Sequence, residues 1–282
     1  MAMRSDGALD LDAISIRQIT ARQRVTWARG DFHVLALQVL AASDALVQAI
    51  DPHAGDRVLD VACGSGNAAL VAARRYCEVT GIDYVPALLE RATMRAAAEG
   101  TTIRFEVADA QALPFEDQSF DALTSVFGVM FAPSQPQAAA EMVRVCRPGG
   151  TIGLASWTPG GFAGLFFRAH AQHLPPSPPG LADPTRWGTE AGLRELFGDR
   201  VAFRFETRDV FQYFRTIEHA LDVFQRYFGP TNGAFEAVGE AGREALTRDL
   251  LAVLESVNVA TDGTVVLKGE YLQAVGIRTA LP

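Results

Sequence analysis

The chain has few of the residues that staple small secreted domains: 282 residues contain only three cysteines. Cys63, Cys77 and Cys146 are an odd set, and no pair stands at metal-ligand spacing. No disulfide framework and no metal site are expected; buried free thiols in a reducing compartment are. Basic charge is not in excess either. Lys and Arg number 25 against 33 Asp and Glu, a formal net charge of -8. Binding to phosphates needs a cationic face that releases counterions, so a nucleic-acid substrate is disfavoured. No apolar run of bilayer-spanning length is read, and the first 12 residues carry charges without the apolar stretch of a secretory leader. A cytoplasmic protein without a membrane span is the expectation. Internal repeats and low-complexity tracts are also missing. What is present, 49% hydrophobic and 21% charged residues, suffices for one large α/β domain with a helical addition.

Apolar positions such as Leu35, Val39, Leu46, Val47 and Ile50 give residues 14–50 a helical texture, which Pro52 and Gly55 end. Short strands and helices then alternate. Strands are predicted over 57–62, 78–82, 102–107, 120–126 and 151–157, and helices over 66–76, 86–98 and 137–147. Pro86 suits the first turn of its helix, where a missing N–H is harmless. Pro148-Gly149-Gly150 reads as the stop after residue 147. This rhythm predicts a mainly parallel sheet with helices on both faces. Beyond Trp157 come a helix over 160–173 and a proline-rich loop, either a surface linker or a rim of the site. Thr189 then caps a helix over 190–197, a strand follows over 201–211, helices over 216–260 and a last strand over 270–278. The expected division is a helical cap over 1–54, a core over 55–211 and 263–282, and a helical insertion over 212–262.

The chemistry centres on Val58-Leu59-Asp60-Val61-Ala62-Cys63-Gly64-Ser65-Gly66-Asn67. A strand runs into a turn of small residues and a helix follows. Gly64 and Gly66 let the backbone approach a ligand without a Cβ in the way, and the helix start behind them offers free N–H groups. Gly64-Ser65-Gly66-Asn67-Ala68-Ala69 also fits a dinucleotide turn. Asp60 argues against that reading, because a carboxylate crowds a pyrophosphate but tolerates the ammonium end of a methionine group.

Asp60, Ala62, Gly64 and Gly66 at steps of two resemble the acidic-then-small motif of class I S-adenosylmethionine (SAM)-dependent methyltransferases. Asp83 with Tyr84, Asp109-Ala110, Leu113-Pro114-Phe115, Ser119-Phe120-Asp121 and Arg147-Pro148-Gly149-Gly150 follow in that family's order. Together they cover residues 55–157 and look most like the type 11 group, similar to ubiquinone and menaquinone biosynthesis enzymes. Singly, Asp83 also reads as a helix cap and Asp109 as a turn residue.

The resemblance implies a Rossmann-like, seven-stranded, mostly parallel sheet with an antiparallel last strand. It implies SAM as cofactor and S-adenosylhomocysteine (SAH) as product, with the methionine part at Ala62 and Gly64, the ribose on Asp83, and the base between Tyr84, Asp109 and Ala110. Val126 would complete the cofactor site. The exit of the fourth strand, with Phe127, Met130 and Phe131, would wall a small-molecule acceptor that is flat or lipophilic. Trp27 and Phe32 would cover the pocket from the N-terminal helices. His33 is the candidate general base, if one is used. The aromatic insertion reads either as a lid or as a dimer contact, so monomer and homodimer both stand. The rival readings are a nicotinamide-dependent oxidoreductase and a non-catalytic SAM-binding protein. Titration calorimetry separates them: the expected outcome is binding of SAM and SAH and no binding of NADH.

Overall fold

The computed structural model describes residues 12–280; the sequence reading of the first 11 residues lies outside it. A seven-stranded sheet has the order β3-β2-β1-β4-β5-β7-β6. The strands are β1 (Arg57–Val61), β2 (Glu78–Asp83), β3 (Arg104–Val107), β4 (Phe120–Val126), β5 (Cys146–Trp157), β6 (Val201–Phe214) and β7 (Val265–Arg278). Neighbours from β3 to β5 pair in parallel. Only β7 runs against the others, pairing antiparallel with both β5 and β6. In β1, Val58, Leu59, Asp60 and Val61 are all buried. That is the pattern of a central parallel strand covered on both faces. Helices α4 (Asn67–Ala73), α5 (Pro86–Ala98) and α6 (Gln135–Val145) supply the crossovers. The chain reverses its order of strands between β1 and β4, and a ligand crevice opens there, beyond the carboxyl ends.

The N-terminal helical stretch is not continuous. It divides into α1 (Ala13–Trp27), α2 (His33–Ala36), a 3-10 turn (Leu37–Val39) and α3 (Leu40–Ile50). The break after α1 falls at Gly30, whose φ of 70° suits glycine. The stretch His33–Ile50 also corrects the sequence reading of apolar runs, since its length and mean hydropathy of 1.5 meet those of a bilayer-spanning segment. In the fold its apolar side lies on the sheet. Ala42, Leu46, Val47 and Ile50 join one core cluster with Val58, Ala122 and Ala155.

Further boundaries differ from expectation. Helix α6 ends at Val145, and Cys146 begins β5 rather than lying on a helix face. Cys146 pairs with Phe120, and the register then shifts before Ala122, so Pro148-Gly149-Gly150 forms an irregularity within a strand. Gly149, at φ 74°, takes the left-handed turn. Strands β6 and β7 are each 14 residues long and pair along their whole length. Lys268, Gly269 and Glu270 hid the first half of β7, because they break its apolar run.

After β5 come α7 (Phe162–Ala171) and α8 (Glu190–Phe197), the latter capped by Thr189, whose Oγ1 accepts from the Gly192 N–H. Between β6 and β7 stand α9 (Ile217–Tyr227) and α10 (Gly229–Val257), the second kinked at Gly239. These helices share an apolar core with α7 and Leu35 of α2. The α9–α10 junction docks on the end of α1 through glycine. A Cβ on Gly229 would stand 2.0 Å from the Thr26 carbonyl oxygen, and one on Gly30 would stand 2.6 Å from that of Arg226. Arg29 pairs with Glu236 across the same seam. Gly229→Val is therefore expected to part this seam, lowering stability by about 1–3 kcal/mol. Thermal denaturation and limited proteolysis of α1 measure it.

Candidate active site

The carboxyl ends of β1, β2 and β4 converge on a cleft that opens to solvent. Its floor is a buried carboxylate. Asp60 is 2% exposed; its Oδ2 accepts from the Ala69 N–H at 3.0 Å and its Oδ1 from the Thr124 hydroxyl at 2.9 Å. One side chain thus ties β1 to the first turn of α4 and to β4. It also takes up an N–H that the sequence reading left free for a ligand. The turn above it is held from two sides. Asp83 Oδ2 accepts from the Gly64 N–H at 2.9 Å, and its Oδ1 accepts from Val85 N–H at 2.9 Å. From α5, Arg95 donates to the Ser65 carbonyl at 2.6 Å and to Asn67 Oδ1 at 2.7 Å.

The β1 and β4 exits meet under strain. Ala62 and Phe127 both have left-handed backbones, at φ 53° and 56°. Such conformations cost a non-glycine residue of order 1–3 kcal/mol and cluster at functional sites. Ser125 donates to the Val61 carbonyl at 2.7 Å and accepts from the Val129 N–H at 3.0 Å, which fixes the β4 exit. Gly128 admits the contact, since a Cβ there would stand 2.4 Å from the Ala62 carbonyl oxygen. The Phe127 ring then stacks on Trp157, 3.7 Å between centroids and 4° from parallel.

Of the residues singled out from sequence, Asp60, Ala62, Gly64, Asp83, Tyr84, Asp109, Ala110 and Val126 line this cleft together, with Trp27, Phe32, Phe127 and Phe131. Three others do not line it. Gly66 sits behind the turn, where a Cβ would meet Ala92 at 3.1 Å and Phe105 at 3.3 Å. Met130 points into the core at 1% exposure, because the 3-10 turn Val129–Phe131 sends it away from its two neighbours. His33 stands behind Ser65, with Nδ1 3.0 Å from Oγ. Burial, then the Arg95 charge, holds the His33 imidazole below its usual range.

Sequence reasoning missed Arg95 and Gln111. Gln111 donates to both Asp109 oxygens at 3.1 Å and to Thr20 of α1 at 3.1 Å, and accepts from the Ser134 N–H at 2.7 Å. It joins the cap to the site. No sequence signal marked it, because its partners are up to 91 residues away.

The cleft fits a cation-bearing nucleoside. Asp60, Asp83 and Asp109 line it, and among the described residues no Lys, Arg or His does. A pyrophosphate would face three carboxylates with no counter-charge; a ligand carrying ammonium and sulfonium would be neutralised. Asp83 keeps lone pairs free beyond its two backbone bonds, and Asp109 Oδ2 keeps one free beyond its bond from the Gln111 amide.

Residues 58–150 match a family model described as a methyltransferase domain. The chain belongs to the class I SAM-dependent methyltransferases, and SAM is its cofactor. An uncharacterized protein of Mycobacterium tuberculosis is 39% identical over 267 residues, 94% of this chain and 97% of that one. A demethylmenaquinone methyltransferase of Deinococcus radiodurans is 41% identical over 140 residues, 48% of this chain and 56% of that one. Among solved structures, a putative methyltransferase of Bacillus halodurans shares the fold with a TM-score of 0.61 at 18% identity, covering 85% of this chain and 100% of that one.

Burial pushes the Asp60 carboxyl up to about 7 and that of Asp83 up to about 6, from an ordinary 3.8. The folded state then holds more protons than the unfolded chain, so these groups lower stability as pH rises from about 4 to about 7. A cationic ligand favours the ionised forms. SAM affinity is expected to rise between about pH 5 and pH 7 with proton release, and to level off above. Calorimetry in buffers of differing protonation heat reads both. Asp83→Asn is expected to weaken SAH binding about 10- to 100-fold; an unchanged dissociation constant would remove Asp83 from the cofactor site.

Proposed function

We propose that this chain transfers the methyl group of SAM to a small, flat, apolar acceptor, by O- or N-methylation of a quinone-like or secondary-metabolite ring. One observation carries the reading. A second chamber adjoins the cofactor cleft, and ten of its fourteen lining residues are Phe or Trp. Trp27, Phe32, Val39, Phe127 and Phe131 line both spaces. An acceptor among the rings would therefore sit next to the cofactor. The name of the Deinococcus radiodurans relative, a demethylmenaquinone methyltransferase, supports a ring acceptor of this kind.

Bound SAM supplies a methyl group on an already activated, positively charged sulfur. The protein is left with binding, alignment and exclusion of water. Asp83 and Asp109 hold the nucleoside, and the turn around Gly64 receives the methionine part. The stacked Phe127–Trp157 pair forms a rigid wall for a planar ligand. Phe224 and Phe228 of the insertion and Phe162, Phe166 and Phe167 of α7 close the far side. This arrangement supports the lid reading of α9 and α10. The exposed Phe211 and Tyr213 lie on β6 and take no part in the chamber.

A methyl-transfer screen with labelled SAM against ring compounds and metabolite extracts tests the assignment. Transfer to polar, non-aromatic acceptors alone would refute it. Phe228 lines the second chamber and not the first. Phe228→Ala is expected to reduce kcat/KM for the acceptor about 10- to 100-fold while SAH affinity stays within about threefold. Steady-state kinetics and calorimetry give the two values.

A further inference from the structure

The aromatic chamber contains one side chain that its packing does not explain. Gln212 lies on β6 at an inward position between Val210 and Phe214, and is 5% exposed. Alternation along the strand calls for an apolar residue there. Its carboxamide has no hydrogen-bond partner among the described residues and lines the chamber, where the two indoles are the only other side chains with a polar atom. Its amide atoms open onto the chamber rather than lying sealed in the packing, so what fills the chamber must meet their hydrogen-bonding needs. A polar group left in that state in an apolar cavity points to a ligand.

No base faces it. Among the described residues, no carboxylate, imidazole, amine, phenol or aliphatic hydroxyl lines the chamber. The titratable groups on the surrounding elements are engaged elsewhere. His170 of α7 bonds to the Phe166 carbonyl and the Thr231 hydroxyl, and His33 of α2 meets Ser65. Asp209 of β6 pairs with Lys268 of β7, and Asp222 of α9 pairs with Arg226. Glu270 of β7 accepts from the Thr158 hydroxyl. Asp60, in the cofactor cleft, has one oxygen on Ala69 and the other on Thr124.

We propose that the acceptor's reacting group is an acidic hydroxyl, enolic or phenolic, that arrives already ionised on its ring, and that the Gln212 carboxamide donates the hydrogen bond that orients it. This rests on the methyltransferase reading of the two chambers. An amine attacking the methyl group would be left with a proton on its cationic nitrogen, and no base among the described lining residues takes it. An ionised oxygen needs no base. Its lone pair forms the O–C bond, the S–C bond breaks with its electron pair left on sulfur, and no proton moves. One positive and one negative charge vanish together, which apolar surroundings favour. A neutral amide is suited to such an acceptor: it donates without bringing a second charge that must be desolvated.

Four probes of like outline test the proposal on the full chain: 2-hydroxy-1,4-naphthoquinone, 2-naphthol, 2-naphthylamine and naphthalene. Quenching of Trp27 and Trp157 in the SAH complex reads their binding. Gln212→Leu is expected to weaken binding of the hydroxyquinone about tenfold or more and to leave naphthalene within about twofold, which also shows that the variant folds. Gln212→Glu, which sets a carboxylate against the anion, is expected to weaken the hydroxyquinone at least as much. With labelled SAM, the hydroxyquinone is methylated, the amine is not, and transfer to 2-naphthol climbs with pH as its hydroxyl ionises. The proposal is overturned if Gln212→Leu leaves hydroxyquinone binding unchanged, if no probe quenches, if the bound hydroxyquinone is not methylated, or if the amine reacts as fast. SAH calorimetry on the unaltered protein keeps the two levels apart. Retained SAH binding confines any failure to this proposal, and lost SAH binding strikes the methyltransferase reading beneath it.

Discussion

Asp60 is a carboxylate with almost no access to water, and the site is organised around the bonds that make it tolerable there. Its oxygens accept from the Ala69 amide and the Thr124 hydroxyl, so β1, α4 and β4 share one acceptor. A buried carboxylate left unpaired would be costly, and each partner lost would return part of that cost. The glycine turn lies directly above, pinned in turn by Asp83 and Arg95. The parts that face a ligand are therefore fixed by groups buried beneath and beside them. Such support keeps a binding site close to one geometry before the ligand arrives.

The same frame carries the strained contact between the β1 and β4 exits. Left-handed backbones at Ala62 and Phe127 persist because Ser125 fixes one side and Gly128 leaves room on the other. The result turns the Phe127 ring across Trp157, at the boundary between a carboxylate-lined cleft and an aromatic chamber. Polar recognition and apolar recognition are thus set side by side by two residues of unusual backbone conformation. Around them the cap and the insertion close through the backbone contacts at Gly30 and Gly229.

Much of this was legible in the chain. The apolar run 58–61 with its small-residue turn, and the acidic residues at 83 and 109, mark local events: a strand end, a turn without Cβ atoms, a carboxylate at a fixed distance downstream. Phe120–Val126 and Pro86–Ala98 have the boundaries their patterns predict. Other elements were obscured for physical reasons. The start of β7 is masked by Lys268, Gly269 and Glu270, and Cys146 enters a strand through an irregular register. Met130 and Phe131 are adjacent and equally apolar, yet one is core and the other lines the site, a distinction set by a single 3-10 turn. Gln111, Arg95 and Gln212 carry no local mark, because each is defined by what distant segments place around it.

By itself the sequence determined the class of sheet, the order of its units and the carboxylates that line the cleft, since these depend on short-range periodicity and on spacings within successive strand–turn units. Only the tertiary structure decided which aromatic rings meet, where His33 turns, and that one glutamine is left alone among them. Those outcomes come from side chains far apart in the chain, such as Trp27 and Phe228, whose rings stand 5.5 Å apart. No local pattern encodes such a meeting, because it is produced by the packing of the whole chain.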